Sequence, residues 1–308
     1  MSTAPLVFFL FLVIYHLTSV DGTACNVTNS SGIPRKQFKL HHALITQKML
    51  DVYKGILQRV PKPQRHNLTV LEVGALDGAE SRYAAEQGFN VISFEPSPRN
   101  YRVVISKRRG QSGVTYVNKA CSDQEQMLLF CQEWTPGKST SADHIVTNPK
   151  QECIKGKIAQ VSVTTVDLAL KGAPVYLLKI DTEGFDGKVL LGACQLLVSK
   201  NVMFIIFEFN PRLMTLRTDV EPLDVLQMLS NIGYELYATV PHSLGAQDPS
   251  SSKRYKSLQR PWMQAVTGGP EAAINYLRAT QIRGAYGAWT DIVAVNPSVT
   301  LSDFLHSF

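Results

Sequence analysis

A chain of 308 residues, 44% hydrophobic and 18% charged, has the apolar content of a packed globular protein, which excludes a wholly disordered chain. The length suits one large or two small domains, and the lack of internal repeats or long low-complexity tracts excludes a solenoid or fibre. The net charge of +6 is modest and no nucleic-acid-binding motif accompanies it, so nucleic acid is not an expected partner.

The chain opens on Leu6–Leu17 (LVFFLFLVIYHL), a 12-residue run without Lys, Arg, Asp or Glu. Such a run is short for a bilayer span and right for the core of a signal peptide. Thr18–Gly22 offers small residues for cleavage. Residues 1–22 are therefore expected to be a signal peptide or an uncleaved signal-anchor. Either delivers the rest of the chain to the secretory lumen, and only an uncleaved anchor would attach it to a membrane. Asn26-Val27-Thr28 and Asn29-Ser30-Ser31 are glycosylation acceptors that agree with this route. An oxidising lumen permits disulfides among Cys25, Cys121, Cys131, Cys153 and Cys194, and an odd number leaves at least one free thiol. A pair among Cys121, Cys131 and Cys153 is expected, and Cys194 reads as a buried thiol. No C-x-x-C occurs, so a zinc site has no support.

After a helical stretch at 42–59, Thr69–Val73 reads as a strand leading into Gly74-Ala75-Leu76-Asp77-Gly78. Gly74 and Gly78 would let the backbone turn tightly and approach a ligand. A helix comes next, over 79–87. The second strand, 90–95, ends in Glu95-Pro96, 17 residues after Gly78. An acid at that tip can accept hydrogen bonds from both hydroxyls of a ribose. The turn is neither G-x-G-x-x-G nor a P-loop, which argues for a nucleoside without a pyrophosphate. The helix 98–109 carries Arg99, Arg102, Lys107, Arg108 and Arg109. These read as a solvated face, although a basic face can also attract an acidic glycan or an anionic membrane.

A third strand at 114–118 precedes Asn118-Lys119-Ala120 and Ser122-Asp123. Residues 121–170 hold short β-like runs and read as an insertion. The strand 175–181 is apolar throughout, as in a parallel sheet covered on both faces. It ends in Asp181 and Glu183, and leads to a helix over 186–199 with Val189, Leu190, Ala193 and Leu197 on one face. In such sheets ligands bind beyond the carboxyl ends of the strands. Strands at 202–209, 234–240 and 291–296 and a helix at 220–232 complete an α/β alternation. Glu208 and Asn210, at the tip of the fifth strand, should lie beside Asp181. Asp181, Glu208 and Asn210 are oxygen ligands that suit a hard divalent ion. Substrate hydrogen bonding explains the same residues, and no metal is expected. Residues 241–290 are rich in Gly, Pro, Ser and Tyr and read as a cover for the site. Trp262 and Trp289 either stack on a sugar or pack that cover in place.

Glu72-Val73-Gly74-Ala75-Leu76-Asp77-Gly78 resembles the first motif of class I methyltransferases. Phe94-Glu95-Pro96-Ser97-Pro98 and Lys179-Ile180-Asp181-Thr182-Glu183-Gly184-Phe185 resemble the FkbM family within that class. The resemblance implies a Rossmann-like, doubly wound, seven-stranded α/β sheet that binds S-adenosylmethionine. It implies residues 67–298 as the methyltransferase domain, with insertions at 121–170 and 241–290, preceded by an N-terminal segment and helix at 23–66. Cofactor contacts are implied for Glu72, Gly74, Asp77, Gly78, Glu95, Ser122, Asp123 and Asp181. Asp181 and Glu183 are the expected catalytic pair, and Glu208 and Asn210 the expected substrate contacts. The expected reaction is O-methylation of a small-molecule or glycan acceptor. The alternative is a binding protein on a degenerate methyltransferase fold. Nothing in the sequence speaks to oligomeric state.

Overall fold

The computed structural model describes residues 42–107, 113–132, 143–154, 156–239, 264–265 and 289–299. The leader, both N-terminal glycosylation acceptors, Trp262 and nearly all of the expected cover at 241–290 lie outside these residues. Among the described residues no helix is long and apolar enough to cross a membrane.

The chain begins with α1 (His42–Gln58), β1 (Thr69–Val73), α2 (Ala79–Glu86), β2 (Asn90–Phe94), α3 (Pro98–Lys107) and β3 (Val114–Val117). The first insertion contains β4 (Ala120–Cys121), β5 (Gln126–Gln132), β6 (His144–Val146), α4 (Pro149–Glu152), β7 (Lys157–Thr164) and α5 (Val166–Leu170). Then come β8 (Val175–Ile180), α6 (Asp186–Leu191), α7 (Cys194–Val198), β9 (Val202–Phe209), α8 (Pro211–Arg217) and α9 (Pro222–Ile232). Last are β10 (Glu235–Ala238), the two-residue β11 (Gln264–Ala265) and β12 (Thr290–Val295).

The main sheet runs β11-β10-β12-β9-β8-β1-β2-β3. Its seven long strands are those expected, and β11 adds a short antiparallel edge. β3, β2, β1, β8 and β9 are parallel, while β12 runs antiparallel between β9 and β10. The chain moves outward from β1 to β3 and returns to β8 on the other side of β1. That reversal is the switch point at which a parallel sheet opens a crevice.

Alternation along each strand divides the core in two. On one face Val70, Leu177, Phe204, Ile206 and Val293 pack with Val52, Tyr53, Ile56 and Leu57 of α1, Ala84 of α2 and Val104 of α3. On the other, Leu71, Leu178, Ile180, Ile205 and Phe207 meet Val189, Leu190, Leu197, Val225 and Leu229 from α6, α7 and α9. Burying each such side chain contributes about 1.5–3 kcal/mol.

The helix expected over 186–199 is two. It breaks at Gly192, where the backbone passes so close to the Ser122 carbonyl that a β-carbon would stand 1.9 Å from its oxygen. The stripe survives the break, since Val189, Leu190, Ala193 and Leu197 are all buried. α8 was not expected, although Asn210 caps it by accepting from Leu213 N at 3.1 Å and Pro211 opens it. Cys131 and Cys153 form the pair expected in the insertion, and Cys121 is buried and free. Cys194 is disulfide-bonded rather than the thiol expected.

Candidate functional site

The register of the parallel strands aligns their tips. Val73 pairs with Phe94 on one side and Ile180 on the other, and Ile180 pairs with Phe207. One step further on, Glu95, Gly74, Asp181 and Glu208 therefore stand in a row along the carboxyl edge. A cleft opens above this row, lined by Gly74, Leu76, Glu95, Pro96 and Asn100 at one end and by Asp181, Thr182, Glu183 and Phe185 at the other. Ala120, Cys121, Phe130, Asp143, His144 and Ile145 form a third wall.

Glu95 is the anchor of the first end. Its two oxygens accept from Leu76 N at 2.7 Å and Ser97 N at 2.8 Å. A carboxylate has about four acceptor positions; the Asn100 side chain also hydrogen-bonds Glu95, so about one remains for a ligand. Burial pushes the carboxyl up to about 8, against the pull of the Ser97 and Leu76 N–H groups. Asn118 Nδ2 donates to the Glu95 carbonyl at 2.7 Å and so fixes the backbone of this tip.

At the other end Asp181 is about half exposed, and Lys179 Nζ lies 3.5 Å from its Oδ2. Lys179 also faces Glu72 at 3.8 Å. Burial alone would lower the lysine's pKa, but Asp181, Glu80, Glu72 and Asp291 raise it. Glu183 takes a left-handed backbone, φ 54°, and pairs with Arg217 at 3.8 Å. Burial first, then the Asp181 charge, pushes its carboxyl up to about 8. Asp186 holds the turn, accepting from Thr182 N at 3.3 Å and Gly184 N at 3.2 Å. Sequence reasoning missed Asp186; the available signal was an acid in the first turn of a helix. Glu208 sits in the row with its carboxyl raised by burial first and then by Asp181, Asp186, Glu183 and Asp291.

Several expected contacts stand elsewhere. Glu72 is fully buried beneath the turn, where Ser81 Oγ donates to it and Lys179 faces it. Asp77 accepts from Ala79 N at 3.2 Å at the start of α2. Gly74 lines the cleft, and both glycines also allow close packing: a β-carbon on Gly74 would meet the Asp181 carbonyl oxygen at 1.9 Å, and one on Gly78 would meet Val104 Cγ1 at 2.4 Å. Ser122 donates to Asp123, which pairs with Lys188 at 2.8 Å. Ser122 and Asp123 line a second cleft with Gln124, Gln126, Thr147, Lys188, Arg217 and Asp219. Phe185 and Ile145 border both clefts. Asn210 caps α8 through Oδ1, and its buried Nδ2 has no hydrogen-bond partner. Trp289 is buried at the start of β12.

The third wall was not foreseen as part of the site. A small sheet, ordered β4-β7-β5-β6, carries it. Asp143 clamps that sheet to the Glu95 tip, accepting from Ser97 Oγ at 2.8 Å and Arg99 at 2.8 Å. Phe130, Ile145, Val161 and Val163 pack with Phe185 to join it to the other end.

The sequence profile of the methyltransferase FkbM domain matches residues 72–236, more than half of the chain. Among curated proteins none matches. Several solved methyltransferase structures are similar at low identity. Precorrin-6y C5,15-methyltransferase from Geobacter metallireducens GS-15 is 10% identical, with 84% of this chain and 94% of that chain covered and a TM-score of 0.35. Magnesium protoporphyrin IX methyltransferase from Synechocystis PCC 6803, solved with bound SAM, is 11% identical, with coverages of 84% and 86% and a TM-score of 0.38. Human methyltransferase 10 domain containing protein is 8% identical, with coverages of 87% and 89% and a TM-score of 0.37.

Proposed function

Because the chain belongs to the FkbM methyltransferase family, we propose that it transfers the methyl group of S-adenosylmethionine to a hydroxyl oxygen of a small-molecule or glycan acceptor in the secretory pathway. The observation that carries this reading is the cleft at the switch point, with Glu95 at one end and Asp181 and Glu183 at the other. The residues present fit the cofactor. Glu95 keeps about one acceptor position for a ribose hydroxyl. Thr182 Oγ1, on the same wall, is buried without a hydrogen-bond partner.

When bound, the cofactor supplies a methyl group already activated by its sulfonium. The protein's part is to hold the acceptor in line and to take its proton. Positioning of this kind contributes roughly 7–11 kcal/mol. Glu183, with its carboxyl near 8, suits the role of base close to neutral pH. Asp181, beside it, raises that value and orients the acceptor's hydroxyl. The acceptor enters from the second cleft, past Phe185. Each cation there faces an acid, Lys188 both Asp123 and Asp219 and Arg217 Glu183. Gln124, Gln126 and Thr147 add neutral donors and acceptors, which favours an uncharged, hydroxyl-rich ligand.

The apolar run Leu6–Leu17, the acceptors at Asn26 and Asn29 and the Cys131–Cys153 bridge support a secretory address. Calorimetric titration with S-adenosylmethionine, followed by transfer of labelled methyl to a panel of neutral and acidic glycans, tests the reading. Saturable cofactor binding with base-stable, oxygen-linked label supports it. No cofactor binding, or label only on nitrogen or carbon, overturns it.

A further inference from the structure

The small sheet has two apolar faces. One, with Phe130, Ile145, Val161 and Val163, packs on Phe185 and builds the cleft wall. On the other, Met127, Leu129 and Cys131 follow one another along β5, Val146 stands opposite Leu129, and Ile158 stands opposite Cys131. The Cys131–Cys153 bridge closes the middle of that face, where the two cysteines pack with Leu129 and Val146. Around this middle Met127 is 58% exposed and Ile158 42%, and Ile154, next to Cys153, is 81% exposed. Three of the six exposed large apolar side chains among the described residues thus gather on one small face, where single scattered ones would need no explanation. The exposure is braced. Glu152 accepts from Asn148 N at 2.6 Å and Thr147 Oγ1 at 2.9 Å, and the bridge holds Cys153, so the turn carrying Ile154 is fastened to the sheet.

Exposed Lys150 and Lys157 flank this tip. Of the acids nearby, Glu152 has turned its carboxylate into its own turn, and Glu125 accepts from Thr164 Oγ1 at 3.5 Å. A second copy docked face to face would set these lysines against their equivalents, so the rim opposes self-association and suits a negatively charged surface. An apolar tip with lysines at its rim matches the boundary layer of an anionic bilayer. There the ammonium groups stay among the headgroups while the isoleucine reaches the acyl chains.

We propose that this outer face of the small sheet, with Ile154 at its tip and Met127 and Ile158 beside it, docks on an anionic phospholipid bilayer. Thr147 belongs both to the docking turn and to the second cleft, so docking brings the mouth of that cleft to the membrane surface. The docking itself is independent of the methyl-transfer reading.

The test places a reporter at the tip. Ile154→Trp, in the full chain, is mixed with vesicles of brominated phosphatidylcholine, with or without phosphatidylserine. The readout is local, so an uncleaved leader holding the chain on the vesicle does not supply it. With phosphatidylserine the indole emission should shift to the blue and be quenched by the brominated chains, and salt should weaken both effects. Lys150→Gln with Lys157→Gln in that background should raise the lipid concentration needed at least about tenfold. Met127→Ser with Ile158→Ser should do likewise. Leu168→Ser, on α5 and 53% exposed, should leave it unchanged. An unquenched indole, or equal quenching without phosphatidylserine, overturns the proposal. So does a dimer in sedimentation equilibrium that Ile154→Ser dissolves, since the face would then join two copies.

Discussion

Gly74 packs against Asp181 so closely that a β-carbon on the glycine would stand 1.9 Å from the aspartate's carbonyl oxygen. The contact ties the first turn to the tip of β8, and so ties the Glu95 end of the cleft to the acid end. Gly74 also sits at φ 92°, where an L side chain is strained. Gly74→Ala should cost roughly 1–3 kcal/mol for backbone conformation alone, with the clash in addition. Urea denaturation should show the loss, and cofactor binding should weaken with it. A variant of wild-type stability would mean that the two ends of the cleft are not coupled through this contact.

Glu95 sets a pH dependence. Its carboxyl, ordinarily near 4.5, is pushed up to about 8, chiefly by burial. Between those values the folded chain keeps a proton that the unfolded chain has lost. Its contribution to stability therefore falls as pH rises through that window. Binding of ribose hydroxyls favours the ionised carboxylate, so cofactor affinity should rise from pH 6 to about 8 and then level. Glu95→Gln should flatten that profile and weaken binding at pH 8 by roughly 1–3 kcal/mol. Calorimetry in buffers of different ionisation enthalpy should register proton release in the wild type and none in the variant. A wild-type pH profile in Glu95→Gln would remove Glu95 from the cofactor contacts.

The expected strands 69–73 and 202–209 coincide with β1 and β9 because buried parallel strands leave continuous apolar runs with abrupt polar ends. The same ends, read along the chain alone, already align Glu95, Asp181 and Glu208 at one edge. What sequence pattern does not carry is long-range packing. The Ser97–Asp143 bond joins residues 46 apart, and no periodicity announces it. The break at Gly192 depends on the Ser122 carbonyl, and the burial of Glu72 on Lys179 and Ser81. The capping role of Asn210 appears only once α8 is recognised from the Asn-Pro pair.

The small sheet should fail locally without its bridge. Cys131 and Cys153 are 22 residues apart, and closing a loop of that length contributes about 3 kcal/mol. Cys131→Ala with Cys153→Ala should lower stability by about that amount. Since Asp143 and His144 lie on the cleft wall beside this bridge, cofactor affinity should fall as well. Hydrogen exchange should locate the loosening in β5, β6 and β7 before the main sheet. Uniform loosening across both sheets would show that the insertion is not a separate unit.

The leader and its acceptors make a prediction of address. Expressed in a eukaryotic secretory host, the full chain should gain mass that an N-glycan-removing enzyme takes away. Asn26→Gln with Asn29→Gln should abolish most of that gain. An unglycosylated cytosolic product with Leu6–Leu17 intact would contradict the proposed address.

Asp181 and Glu183 should matter to turnover more than to folding. Asp181 is about half exposed, with a relative side-chain exposure of 45%, and Lys179 keeps Glu72 as a partner without it. Glu183 is less exposed, but its partner Arg217 also donates to the Glu183 backbone carbonyl, a bond that a side-chain change leaves intact. Partly exposed ion pairs contribute about 0–1 kcal/mol, so Asp181→Asn and Glu183→Gln should melt close to the wild type. If Glu183 takes the acceptor's proton, Glu183→Gln should lower kcat by roughly 10²–10⁴ with KM little changed. If Asp181 orients the acceptor's hydroxyl, Asp181→Asn should act on both constants. The kcat profile of the wild type should rise with pH toward about 8, where Glu183 ionises, and the rise should vanish in Glu183→Gln. A retained limb in that variant would assign the base elsewhere along the row, with Glu208 the next residue to replace.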